Sequence, residues 1–278
     1  MLSLFRRRRP APAPLPVQRR APRLGPGRRI YAIGDVHGHV DLLERAFGAI
    51  DRDLAERPIA SALVVLLGDL VDRGPWSKAV IDAVLARRRG PDRDILCLKG
   101  NHEAMLLAFL DDASTFDDWR EVGGYQTLLS YGQQRRPIVT SADREDLRER
   151  LLELFPPEHG AFLAALPSYW IEGDFLFVHA GLKPGVPIEL QDPIDLLWIR
   201  EEFLESTLDH GYHVVHGHTP MPDIEHRANR TNIDIGAYAT GRLACLVIEN
   251  DVMEALRVTP SGVARAPVSG VHAGGAVG

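Results

Sequence analysis

Apolar runs of three to six residues recur along the chain, and each closes at a small or polar residue. Arg29–Ile33 stops at Gly34-Asp35, Ala62–Leu67 at Gly68-Asp69, and Ile95–Leu98 just before Gly100-Asn101. Further on, Phe175–Val178 stops at His179, and His213–Val215 at His216-Gly217-His218. Runs of that length predict buried strands. Between the first three lie helical spacings: Leu42, Leu43, Ala46, Phe47, Ile50 and Leu54, then Ala79, Val80, Ala83 and Val84. Strand and helix in alternation predict an α/β fold with its chemistry at the carboxyl ends of the strands.

The pattern changes after Asn101. Residues 104–170 read as a helical insertion with polar breaks at 111–118 and 132–140. From Thr231 to Val258 strands return, with a hairpin turn expected at Asn250-Asp251. A domain over 28–259 is therefore expected, between a Pro/Arg-rich tail (1–27) and a flexible Gly/Ala-rich tail (260–278).

Composition narrows the classes. At 278 residues and 45% hydrophobic the chain can bury a sizeable core, and its longest apolar stretch, Ile59 to Gly68, is half of a membrane span. The net charge of −6 hides an asymmetry: residues 1–29 hold nine Arg, six Pro and no acid. Taking those nine from the 32 basic residues leaves 23 against 38 acidic ones, a net of −15. So acidic a body is a poor general binder of nucleic acid. The basic tail could instead make weak contact with an anionic surface. Cys97 and Cys245 are the only cysteines, both in predicted strands, which suits a reducing, cytoplasmic setting without disulfides.

Five strand ends each deliver a metal-competent side chain: Asp35 and His37, Asp69, Asn101, His179, and His218. Singly, an Asp after a strand is a turn or helix cap. Six such residues at five strand ends point instead to a centre for borderline divalent metals.

The motifs Gly34-Asp35-Val36-His37-Gly38, Gly68-Asp69-Leu70-Val71-Asp72-Arg73-Gly74, Gly100-Asn101-His102-Glu103, His179-Ala180-Gly181 and Gly217-His218-Thr219 resemble those of the PPP-type serine/threonine phosphatases. That family lies within the calcineurin-like metallophosphoesterases. Thr219-Pro220 and the later run Asn232–Tyr238 are similar to its bacterial branch. The resemblance implies an αββα sandwich and two divalent ions, manganese first, with iron or zinc as alternatives. Asp35 and His37 would hold one ion, Asn101, His179 and His218 the other, with Asp69 between them and a shared water activated for in-line attack. It also implies His102 as general acid with Asp72 behind it, and Arg73 as a phosphate clamp. Arg200 is a second candidate clamp, or else pairs with Glu201 and Glu202.

Some positions stay open. Lys99 stands where the family usually has Arg. Tyr238 is either near the substrate or a core residue. His216 reads as a core or supporting residue, and His39, His159, His210, His213 and His226 as surface ones.

Two substrates compete, a phosphorylated protein or peptide and a dinucleoside polyphosphate. Asp72, Glu103 and Thr219 favour the first, since the symmetrical diadenosine tetraphosphatases resemble Ala, Asp and Trp at those places. Gly74-Pro75-Trp76-Ser77 is partly shared with them. An inactive, phosphatase-fold binding protein would have lost a ligand or the acid, and every expected position is filled.

Overall fold

The computed structural model describes residues 21–89, 94–135 and 137–268. Eleven strands among them form two sheets. The first contains β1 (Arg28–Ile33), β2 (Ser61–Leu66), β3 (Asp94–Cys97), β9 (Leu243–Glu249), β10 (Val252–Thr259) and β11 (Gly262–Pro267), in the order β11-β10-β9-β1-β2-β3. The second contains β4 (Tyr169–Glu172), β5 (Phe175–Val178), β6 (His213–His216), β7 (Glu225–His226) and β8 (Arg230–Asn232), in the order β4-β5-β6-β8-β7. β1, β2 and β3 run parallel, as do β5, β6 and β8, so each trio delivers its C-terminal residues to one edge of its sheet.

Side-chain alternation sorts the apolar residues into three cores. Ile30, Ala32, Val65, Leu246 and Ile248 of the first sheet meet Phe175, Phe177 and Val215 of the second. Tyr31, Ile33, Val64, Leu66 and Val247 face the other way, onto α1 (Val40–Glu56), α2 (Ser77–Arg88) and α3 (Asn101–Asp111). Leu176, Val178 and Val214 form the third core with α8 (Pro193–Trp198) and α9 (Glu201–Leu204), through Leu196 and Phe203. Helices thus cover both outer faces, and the architecture is the expected αββα sandwich.

The insertion is helical: α4 (Phe116–Glu121), α5 (Gly124–Ser130), α6 (Ser141–Leu154) and α7 (Pro157–Ala164). α4 begins inside the stretch expected as a polar break, because Phe116 and Trp119 are fully buried against Phe109 of α3. A last short helix, α10 (Ala237–Thr240), follows β8. The hairpin turn at Asn250 is present, with φ at +52°.

Both tail boundaries move outward. Leu24 is buried and its N–H donates to Asn250 O, while Arg23 N–H donates to Asp174, so residues 21–27 belong to the domain. At the other end β11 pairs with β10 as far as Pro267, so the chain from 262 is strand and not tail. The Arg6–Arg9 cluster lies outside the described residues. No helix among those described is long and apolar enough to cross a membrane.

Candidate metal centre

The two parallel trios end at one rim, and six loops meet there. Five of the six non-glycine residues with positive φ among those described lie in these loops: His37, Asp69, Asp72, Arg73 and His218. Such concentrated backbone strain is found at functional sites. Two glycines allow the approach. A Cβ on Gly100 would strike the Asp69 carboxylate, and one on Gly217 the Asp35 carboxylate.

Glu103 ties the ends of β2 and β3 together. One of its oxygens accepts the N–H groups of Asp69 and Gly100, both at 2.8 Å. The other accepts those of Leu70 (2.7 Å) and Val71 (3.3 Å). An amide presents one acceptor oxygen, so Glu103→Gln leaves two buried N–H groups without a partner. We expect a stability loss of about 2–4 kcal/mol, measured by urea denaturation.

Around this scaffold the imidazoles are fixed by carbonyls. His37 Nδ1 donates to Val71 O and His179 Nδ1 to Leu67 O, each at 2.9 Å, so both rings turn Nε2 inward. Two trios result, in each of which the donor atoms lie within 4.8 Å of one another: His37, Asp69 and His102, and Asp69, His179 and His218. Asp69 is common to both. Asn101 Oδ1 joins the second trio, 2.9 Å from His179 Nε2 and 2.9 Å from His218 Nδ1, and Asp69 Oδ1 is 3.3 Å from His179 Nε2. Donors bound to one divalent ion at about 2.1 Å stand roughly 3.0–3.4 Å apart, so the second group fits a metal.

Charge supports the fit. Burial, with Asp234 alongside, pushes the Asp35 carboxyl well above its usual range. Burial also raises Asp234 to about 6. Burial works the same way on Asp69, but the neighbouring His179 and His102 outweigh it and hold Asp69 well below its usual range. Burial lowers His37 and His218 to about 3, leaving both as the neutral imidazoles that metal binding requires. Burial opposes charge on His179 too, but Asp69 beside it overrides this and raises the ring to about 10. With His37 and His218 neutral and Asp69 ionised, three of the donors are already in metal-binding form, and His179 would give up its proton to a bound ion.

Asp35 belongs to neither trio. Its carboxylate accepts the His218 N–H, at 3.1 Å to the nearer oxygen. His102 falls within the first trio although it reads from sequence as an acid. Its Nδ1 bonds Asp72 Oδ2 at 2.8 Å, and its Nε2 faces Asp69 Oδ2 at 3.8 Å. Burial opposes the imidazolium, yet Asp69 and then Asp72 outweigh it and raise the His102 pKa. The insertion holds Asp72 in turn, through Trp119 Nε1 (2.8 Å) and Thr127 Oγ1 (2.6 Å).

Arg73 is half-buried and lies over the Tyr238 ring, 4.3 Å from its centroid. Arg200 is exposed and makes no ion pair with a described residue, so Glu201 and Glu202 do not claim it. Its positive charge is among the influences that hold His218 neutral. His216 is a buried core residue between Gly217 O and Arg230, as expected. His159 and His213 are buried, against the surface expectation, because Tyr131 and Asp82 satisfy the first and Thr231 bonds the second. Asp234 is a residue that sequence reasoning passed over. The position of its carboxylate at the end of a strand, in Asn232-Ile233-Asp234-Ile235-Gly236, was the available signal.

The sequence model of one family, described as calcineurin-like phosphoesterase, matches residues 28–245. Among curated proteins the chain is 28% identical to Shewanella-like protein phosphatase 2 of Arabidopsis thaliana, over 55% of this chain and 46% of the relative. It is also 28% identical to the symmetrical bis(5'-nucleosyl)-tetraphosphatase of Pseudomonas syringae pv. tomato, over 56% of this chain and 41% of that relative. The match to each thus spans less than half of the relative's length. Among solved structures, a cold-active protein-tyrosine phosphatase of a psychrophilic Shewanella superposes with a TM-score of 0.55 at 18% identity, covering 89% of this chain and 83% of that one. At that identity the likeness is one of fold.

Proposed function

Because the chain belongs to the calcineurin-like phosphoesterase family, we propose that it is a metal-dependent phosphate-ester hydrolase and, more narrowly, a protein serine/threonine phosphatase. Asp35, His37, Asp69, Asn101, His179 and His218 would hold two divalent ions, for which manganese, iron and zinc are all chemically suited. Such ions supply Lewis-acid charge that activates water and offsets charge on the phosphoryl oxygens.

The observation that carries the narrower reading is the pair His102–Asp72, at 2.8 Å. Serine and threonine leave as alkoxides, which are strongly basic and need a proton as the P–O bond breaks. With Nδ1–H held by Asp72, His102 presents its second proton at Nε2, towards the rim. A phenolate leaves more easily, and the phosphate end of a dinucleoside polyphosphate leaves more easily still. An acid held this firmly therefore suits an alkyl ester best. Arg73 and Arg200 would bind the phosphoryl oxygens with their paired N–H groups.

A second reading is hydrolysis of dinucleoside polyphosphates, favoured by the similarity to the Pseudomonas tetraphosphatase and to others of that name. Metal-stripped protein given manganese should be assayed side by side on a phosphothreonine peptide and diadenosine tetraphosphate. We expect kcat/KM to favour the peptide. A tenfold preference for the dinucleotide would replace the first reading by the second, and no turnover of either with metal bound would point to a binding protein.

A further inference from the structure

Arg73 would grip phosphate, yet it has no carboxylate to hold it. Its Nε is 3.4 Å from Val122 O, and no ion pair joins it to a described residue. What lies against it is an aromatic face. The guanidinium carbon sits 4.3 Å from the centroid of Tyr238, and the same ring meets the His37 ring edge-on, 5.4 Å away at 88°. The ring is itself fastened. Tyr238 lies in the first turn of α10, just after Gly236, whose N–H donates to the buried Asp234 carboxylate at 2.8 Å. Thr240 Oγ1 closes the turn on Gly236 O at 2.9 Å. Yet Tyr238 is 39% exposed, so it opens at the rim and is not a core residue.

We propose that Tyr238 is a positioning residue. Its ring face holds the Arg73 guanidinium over the rim, where it meets a phosphoryl group, and its hydroxyl is dispensable. The inference rests on the reading of the rim as a phosphate-ester site. A carboxylate partner would compete with phosphate for the same N–H groups, whereas a stacked ring leaves the in-plane donors of the guanidinium free. Stacking thus suits a clamp that must bind an anion and release it.

The test uses the full-length, manganese-loaded protein and the variants Tyr238→Phe, Tyr238→Leu, Arg73→Ala and the double variant Arg73→Ala/Tyr238→Leu. KM and kcat for p-nitrophenyl phosphate are measured, together with binding of inorganic phosphate by calorimetry. Inorganic phosphate has no ring, so a change in its affinity cannot come from lost stacking on the substrate.

Tyr238→Leu should weaken phosphate binding and raise KM by about five- to thirtyfold, with a smaller change in kcat. Tyr238→Phe should stay within about twofold of the parent, and Tyr238→Leu should add little once Arg73 is gone. Full additivity in the double variant would overturn the proposal, and so would equal damage by Phe and Leu. A fall in manganese affinity in Tyr238→Leu would also overturn it, since the ring would then be supporting His37. If the parent hydrolyses no ester the phosphatase reading fails by itself, and the phosphate-binding series still decides the role of Tyr238.

Discussion

Replacing His102 by Asn is expected to leave metal bound and to lower kcat on a phosphothreonine peptide by about 10²–10⁴-fold. Loss on p-nitrophenyl phosphate should be much smaller, because its leaving group departs without a proton. The reasoning starts from tautomer control: Asp72 takes one N–H of His102 at 2.8 Å and leaves the other at Nε2. Asp69 and Asp72 both raise the His102 pKa against its burial. The acid acts while protonated, so kcat should fall as pH rises through that pKa. Asp72→Asn removes one of the two charges that raise it, and the alkaline limb should then move to lower pH. In His102→Asn that limb should vanish. Equal loss on aryl and alkyl esters, or an unmoved limb in Asp72→Asn, would show that His102 is not the acid. Stopped assays over pH on both esters, with bound metal measured alongside, separate these outcomes.

The rim was legible because five of the six strands that feed it are apolar runs that stop at a polar residue, as at Ile33 before Gly34-Asp35 and Val178 before His179, whereas β8 (Arg230–Asn232) is polar throughout and hid Asp234. The sandwich was not legible in that way. Phe175 and Phe177 face the core between the sheets, while Leu176 and Val178 face the outer one, so the strand is apolar throughout and shows no alternation. The resemblance supplied the second sheet.

The boundaries were missed for a related reason. Leu24 is one apolar residue in a Pro/Arg stretch, and β11 is an edge strand whose residues are mostly half-buried or exposed. Their placement comes from backbone hydrogen bonds, which leave no trace in composition. The same holds for Glu103, whose partners are four backbone N–H groups. The sequence marked it only as a difference between two substrate classes. His159 and His213 read as surface residues because the groups that satisfy them, Tyr131, Asp82 and Thr231, lie at least 18 positions away in the chain.

Asp69→Asn should have the largest effect of any single substitution. Asp69 is the residue shared by the two trios, with one oxygen 3.3 Å from His179 Nε2 and the other 3.5 Å from His37 Nε2. The amide keeps the volume but presents one acceptor oxygen in place of two, and it removes a negative charge from a fully buried position. One candidate ion position loses its donor outright, and the other keeps only a neutral amide oxygen in place of a carboxylate. His179 also loses the charge that does most to raise its pKa, so its ring becomes neutral more readily. The variant should retain less than half of the bound manganese after gel filtration, measured by elemental analysis, and hydrolyse phosphate esters at least 10³-fold more slowly, about 4 kcal/mol in barrier height. Its fold should persist, because Glu103 still gathers the loop N–H groups. Comparison with Asn101→Ala separates the positions: a residue serving one ion should cost about half of the metal, and one serving both should cost nearly all of it. Full metal retention in Asp69→Asn would show that Asp69 does not bridge, and that the two trios act independently.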